Sequence, residues 1–304
     1  MDWKTRIDGR LLPAVTHFCE AHDIIEAAFL TGSYARGQLN AGRPSLNVYF
    51  VSLPGKAAQA RIELGRFWQS TRRELQASGA DLVLDCHPYT LAFRDAQWDE
   101  RPCLSITTKV FDGNAWHRRL DLPPTIGLGW LRAYRMLWGD ASKMRLLDMV
   151  PVPDIEWYQG IHEALARYRG ILDHLPWALP WDQRPWLLSW EATRYAEEII
   201  RDAIPVALSR EELAGNLHFQ IYFKWNETAP PFFMERYGER GVRAVEEVAQ
   251  MKARSASMVN AEQSEKDWKT ALEIWDLVWE AFVKRVDAEM GNAAAWLRRV
   301  NGFV

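Results

Sequence analysis

Cysteine is scarce in this chain: Cys19, Cys86 and Cys103 are the full set, odd in number and without a CxxC pair. That excludes a disulfide framework and a cysteine zinc site, and a reducing cytoplasm is the compartment it suggests. Long apolar runs are missing too. No window approaches the ~18 apolar residues of a membrane span, and the opening MDWKTRIDGRLL has no apolar stretch after its basic residues. A soluble, unexported protein with no membrane partner is expected. Charge of one sign is not in excess. A net charge of -3 exerts no long-range pull on a polyanion, so nucleic acid is disfavoured as a partner and small molecules are favoured. His17, His22, His87, His117, His162 and His218 stand without HxH or HExxH spacing, so they imply no metal site. GxSxG and Walker-type loops, internal repeats and low-complexity stretches are absent.

What is present describes folded, globular protein: 48% hydrophobic and 25% charged residues offer enough apolar surface to offset chain entropy. A length of 304 residues suggests two cores. The proline-punctuated stretch Val150-Pro151-Val152-Pro153 is the linker candidate, which gives domains at 1–150 and 151–304. The sixteen tryptophans are read as filling helix packing sites.

In the first domain, apolar spacing of three and four predicts a helix over 3–22. Short apolar runs predict strands at 24–30 and 46–52, the first ending in Thr31-Gly32-Ser33. A helix follows between Gly55 and Gly79, then strands at 81–86 and 103–111. The segment 126–137 reads as a helix that stops at Gly139-Asp140. Beyond 151 every longer segment reads as helix: 155–175, 182–204, 239–254 and 261–290, with a capping box at Ser209 and Glu212. The fold class is therefore α+β: an N-terminal α/β domain with a small mixed sheet, followed by an all-helical domain.

The informative stretch runs Phe29-Leu30-Thr31-Gly32-Ser33-Tyr34-Ala35-Arg36-Gly37 and then Pro44-Ser45-Leu46-Asn47-Val48-Tyr49-Phe50-Val51. A Gly-Ser pair at a strand-to-helix turn offers backbone N–H groups and a hydroxyl to phosphate oxygens. With the strand that follows, it resembles the nucleotidyltransferase superfamily, which includes polymerase beta-like, aminoglycoside and minimal nucleotidyltransferases. In that family the second strand carries Asp-x-Asp or Asp-x-Glu, and the pair holds two magnesium ions from one strand face. The resemblance puts Ser45 and Asn47 at those two positions, and neither is an acid. A third carboxylate on a neighbouring strand maps onto Asp81, with Asp85 as the runner-up.

The resemblance implies a catalytically degenerate protein, binding a nucleotide triphosphate or another small molecule through Gly32, Ser33 and Arg36, with a homodimer allowed and no resident metal or other cofactor expected. Arg36 could equally form a surface salt bridge. The alternative is an active nucleotidyltransferase that transfers a nucleoside monophosphate to a small hydroxylated acceptor. In that case Asp81, Asp85 or a glutamate of the helical domain rebuilds a magnesium site. Glu191, Glu197 and Glu198 could face a cationic acceptor or simply lie on a solvated helix side. Trp177, Trp181, Trp186 and Trp190 form either an aromatic wall or a packed helix junction. Arg169 and His174 fit the loose Arg-x4-His spacing of HEPN-type ribonucleases, a match that chance alone supplies in many helices.

Overall fold

The computed structural model describes residues 2–39, 44–84, 102–117, 134–148, 155–179, 181–215, 217, 220–221, 224–254 and 259–291. Asp85, Cys86, His87, His218 and the linker candidate at 150–153 lie outside these residues, as does most of the helix expected at 126–137. The chain divides into two compact units, one within residues 1–149 and the other chiefly within 150–304.

The first unit is built on a five-stranded mixed sheet. Helix α1 (Trp3–Arg6) passes through a π-helical turn, Ile7–Leu11, into α2 (Leu12–Ala21). Strand β1 (Ile25–Thr31) leads into a one-turn helix, α3 (Gly32–Ala35). Next come β2 (Ser45–Ser52), α4 (Ala57–Ala77), β3 (Asp81–Leu84), β4 (Cys103–Asp112), a short α5 (Gly113–His117) and β5 (Arg135–Gly139). The sheet order is β3-β4-β2-β1-β5. β2 runs antiparallel to β1 and parallel to β4, and β5 is antiparallel to β1 on its other side.

β1 lies near the middle because its sequence is apolar on both faces, so both must be covered. Ala28 and Leu30 join Leu46, Val48 and Phe50 of β2 in a core roofed by α2 and α4. Ala27 and Phe29 turn the other way and pack with Tyr49, Val51, Phe111, Trp116 and Met144.

The helix expected over 126–137 is corrected where it can be seen. Residues 135–139 are a strand, with Met136 packed on one side of the sheet and Leu137 and Trp138 against the other. The apolar spacing there fits a helix as well as a bulged strand, and pairing with β1, more than a hundred residues away in sequence, decides between them. Gly139 permits this pairing: its φ is +88°, and a Cβ there would meet the Glu26 carbonyl oxygen at 2.4 Å.

Among the described residues the second unit is all helical: α6 (Ile155–Ala178), α7 (Pro185–Ala207), α8 (Arg210–Ala214), α9 (Trp225–Arg254) and α10 (Ala261–Met290). Side-chain bonds give the directions. Trp268 and Trp275 of α10 donate to the carbonyls of Leu172 and Leu165, so α6 and α10 run antiparallel. Ser189 bonds Asp267 near the starts of α7 and α10, and Arg285 reaches the Pro205 carbonyl near their ends, so these two run parallel. Lys252 meets Glu197 and Tyr237 meets the Ala203 carbonyl, which sets α9 antiparallel to α7. This is an up-down-up-down bundle. Helix α9 begins at Trp225, earlier than the expected 239, and Pro230 and Pro231 in its first segment obscure that start in the sequence. A break at Gly238 separates this segment from the expected one. The capping box at Ser209 is present, with the Glu212 amide donating to Ser209 Oγ at 3.2 Å and the Ser209 amide to Glu212 Oε2 at 2.8 Å.

Candidate functional site

Strand register brings Gly32, Ser33, Ser45 and Asn47 together. Thr31, the last residue of β1, pairs with Asn47, which in turn pairs with Thr107 of β4. Directly paired residues share a face, so a row of three neutral polar side chains crosses three adjacent strands over about 10 Å. One step along, Ser45 is level with Ser105. The next row on this face is Phe29, Tyr49 and Lys109, with the Lys109 ammonium 5.8 Å from the Tyr49 ring centre and the Phe29 ring set edge-on to Tyr49. Below it the face becomes wholly apolar.

Gly32 closes against this row. Its φ is +77°, and a Cβ placed on it would sit 2.6 Å from Asn47 Nδ2. Only glycine allows the Asn47 amide to lie over the turn in this way. The turn is anchored from behind by Tyr34, a buried residue whose hydroxyl donates to Asp8 at 2.8 Å. Burial and the neighbouring Asp8 carboxylate push the Tyr34 pKa up to about 12, so the phenol stays protonated and keeps donating. Arg135 lies 5.7 Å from the Tyr34 ring centre and 3.7 Å from Asp8.

Helix α3 has four residues, so it carries little of the dipole that makes a longer helix attract anions. Any anion binding at the turn rests on the Ser33 hydroxyl and on local N–H groups. Arg36 is the residue that ends α3, its amide bonded to the Ser33 carbonyl at 3.1 Å, and its half-buried side chain is engaged in a contact of its own.

Asp81 is not brought to this group. It opens β3, which is two strands from β2, and is level with Cys103, two positions before the residue paired with Ser45. Its carboxylate accepts from Arg72 at 2.8 and 3.1 Å, from Gln76 at 3.2 Å and from the Leu82 amide at 2.7 Å. Burial raises its pKa, but these donors, Arg72 foremost, outweigh burial and hold it below the ordinary carboxyl value. The carboxylate ties α4 to the sheet edge.

Ser105, Thr107 and Lys109 were not singled out from the sequence. Period-two alternation along 103–112 puts all three on one face, but the parallel pairing that sets them beside β2 is nonlocal.

In the helical unit the sequence candidates have structural partners. Glu191 is buried 3.8 Å from Arg194, Glu197 pairs with Arg201 and Lys252, and Glu198 accepts from Tyr168. Arg169 pairs with Asp173 and Asp276 and lies over the Trp275 ring, while His174 Nδ1 is 2.6 Å from the Gly170 carbonyl. Trp186 is buried and Trp181 packs on the bundle core, whereas Trp177 is 87% exposed. Among the described residues no group of three or more His, Cys, Asp or Glu is placed to hold a metal ion, and no helix is long and apolar enough to cross a membrane. No protein-family model matches the sequence, and no curated protein matches it.

Proposed function

We propose that the N-terminal unit is a nucleotidyltransferase-like domain that has given up metal-dependent transfer and binds a nucleotide or another small molecule through neutral hydrogen-bonding groups. The observation that carries this reading is the row Thr31, Asn47 and Thr107, closed at one end by Gly32 packed against the Asn47 amide. A two-metal site needs carboxylates to compensate the cations, and here both strands beside the turn present hydroxyls and an amide instead. Without metal ions a transfer reaction lacks the main means of stabilising its developing charge, a loss of several kcal/mol. Thr31 is fully buried, and the half-buried Ser33, Asn47 and Thr107 are the groups that suit a ligand arriving with its own hydroxyl, amide or phosphate oxygens. The alternative, a metal site rebuilt around Asp81, has against it the bonds that commit Asp81 to Arg72 and Gln76.

The test is calorimetric titration with ATP and GTP, with and without magnesium, on the native chain, Ser33→Ala and the double variant Ser45→Asp with Asn47→Asp. Native binding is expected to be indifferent to magnesium and weakened by Ser33→Ala. The double variant is expected to bind only when magnesium is supplied, because two new carboxylates repel phosphate until a cation bridges them. Magnesium-dependent binding by the native chain would sink the reading in favour of the active enzyme. No binding of either nucleotide would remove the nucleotide from it.

A further inference from the structure

The segments that build the neutral row carry cations and no acids. Residues 29–37, 44–52 and 103–111 contain no aspartate or glutamate, and their charged residues are Arg36 and Lys109. The carboxylates that the sheet strands do carry are Glu26, Asp81 and Asp112, and each is engaged elsewhere. Glu26 meets Lys143 at 2.7 Å, Asp81 meets Arg72 at 2.8 Å, and Asp112 accepts from the Gly55 and Asn114 amides at 2.8 and 3.0 Å. None of them stands in the row of Thr31, Asn47 and Thr107 or in the rows on either side of it.

Lys109 stands on the same face as that row. It is level with Tyr49, two positions along β4 from Thr107, and rows on a strand face are about 7 Å apart. Its side chain is exposed, with the ammonium 5.8 Å from the Tyr49 ring centre. The ring is held in place beneath it, 2% exposed, with Phe29 and Phe111 set edge-on. A neutral aromatic face steadies a flexible lysine stem without cancelling its charge. Lys109 has a further contact besides this ring, and the three donors of an ammonium let it keep that contact and still take a ligand oxygen. Thr31 and Ser105 are buried, whereas Ser33, Asn47 and Thr107 are half-buried. The reachable groups therefore begin as neutral donors at the turn and end at a cation.

Such a face disfavours a bound metal cation and favours an anion. In a two-metal site the cations stand between protein carboxylates and phosphate oxygens. Where the carboxylates are absent, a cation fixed to the protein can meet the phosphate directly. Resting on the nucleotide-binding reading above, we infer that Lys109 takes the place of the magnesium ions, supplying the positive charge for a phosphate chain that lies from Ser33 and Asn47 past Thr107 to the Lys109 ammonium. The row spacing of about 7 Å suits a chain of phosphates better than a single one, which would fall short of the ammonium when held at Asn47.

The test is calorimetric titration of the full chain, Lys109→Met and Lys109→Arg with ATP, inorganic triphosphate and adenosine, free of magnesium and in low and high salt. Lys109 is exposed, so both variants are expected to keep the native thermal midpoint. Lys109→Met is expected to bind ATP about tenfold more weakly in low salt, the usual cost of one bond to a charged group, and to lose most of the native decline of affinity with salt. Lys109→Arg is expected to retain both the affinity and the salt dependence, which a role in packing alone would not produce. Inorganic triphosphate is expected to depend on Lys109 as ATP does, and adenosine to bind far more weakly. Native-like ATP binding by Lys109→Met, an equal loss in Lys109→Arg, triphosphate binding that ignores Lys109, or adenosine binding as tight as that of ATP would each overturn the inference while leaving the nucleotide reading in place. If the native chain binds neither ATP nor triphosphate, that reading falls and takes the inference with it.

Discussion

The two units treat polar groups in opposite ways. In the sheet unit the rows around Gly32 hold hydroxyls and an amide, and Asp81, the first carboxylate the sequence offered for them, is tied up at the sheet edge. In the bundle, carboxyl groups are taken into the core itself. Asp267 is fully buried between α7 and α10, accepting from Ser189 at 2.6 Å, Arg254 at 2.8 Å and Gln263 at 2.9 Å. Asp202 is buried beside Tyr168 and Glu198. Helices with similar leucine-like faces can slide or rotate against one another, and a buried ionic bond that fits in only one register can help specify it. A sheet already has its register from the backbone ladder, so its polar side chains are not needed to specify it.

The comparison breaks most severely at Asp267. Asp267→Ala leaves Arg254 and Ser189 facing an empty core and should cost the bundle about 3 kcal/mol in urea unfolding, the lower end for a broken buried pair because Arg254 is partly exposed. A loss below ordinary surface values would mean that the network does not lock the helices. Asp202 tests the same idea through pH. Burial first, then the Glu198 charge, raises its pKa well above the ordinary value, against weaker opposing pulls from Tyr168, Arg167 and Arg201. A carboxyl raised on folding binds its proton more tightly in the native state. Its contribution to stability is complete below the unfolded pKa of about 4 and is lost as pH climbs through the folded value. Asp202→Asn should therefore flatten the decline in stability above that pH, and an unchanged slope would show that another group titrates.

Within the sheet unit, Gly32→Val should cost about 2 kcal/mol, from a positive φ that a β-branched residue resists and from the clash with Asn47, and should abolish ligand binding at the row. Binding that survives this change would detach the ligand from the turn. The mildest expected effect is Ser209→Ala, about 1 kcal/mol from loss of the cap on α8, read as a shift in the thermal midpoint.

Local patterns were legible where one element could be judged alone. The strand ending at Thr31, the strand at 45–52, helix α4 and the Ser209 cap follow from alternation, helical spacing and capping chemistry visible within a few residues. The Gly-Ser turn and the neutral pair at Ser45 and Asn47 were legible because they are adjacent in sequence and their spacing puts both members of the pair on one strand face. β5 was not, because its residues fit two periodicities, and the start of α9 was hidden by Pro230 and Pro231. Nor could spacing reveal that Asp81 answers to Arg72, since its role depends on where an edge strand meets a helix.

By itself, then, the sequence determined the class of most segments, though not of β5, and the residues of one turn, because hydrophobic period, caps and side-chain charge act over single elements. Only the tertiary structure decided which strand neighbours β2, and so which side chains share a face with Asn47. It alone buried Asp267 between α7 and α10, near their starts. Those outcomes depend on pairings between residues tens of positions apart, whose energies no local pattern encodes.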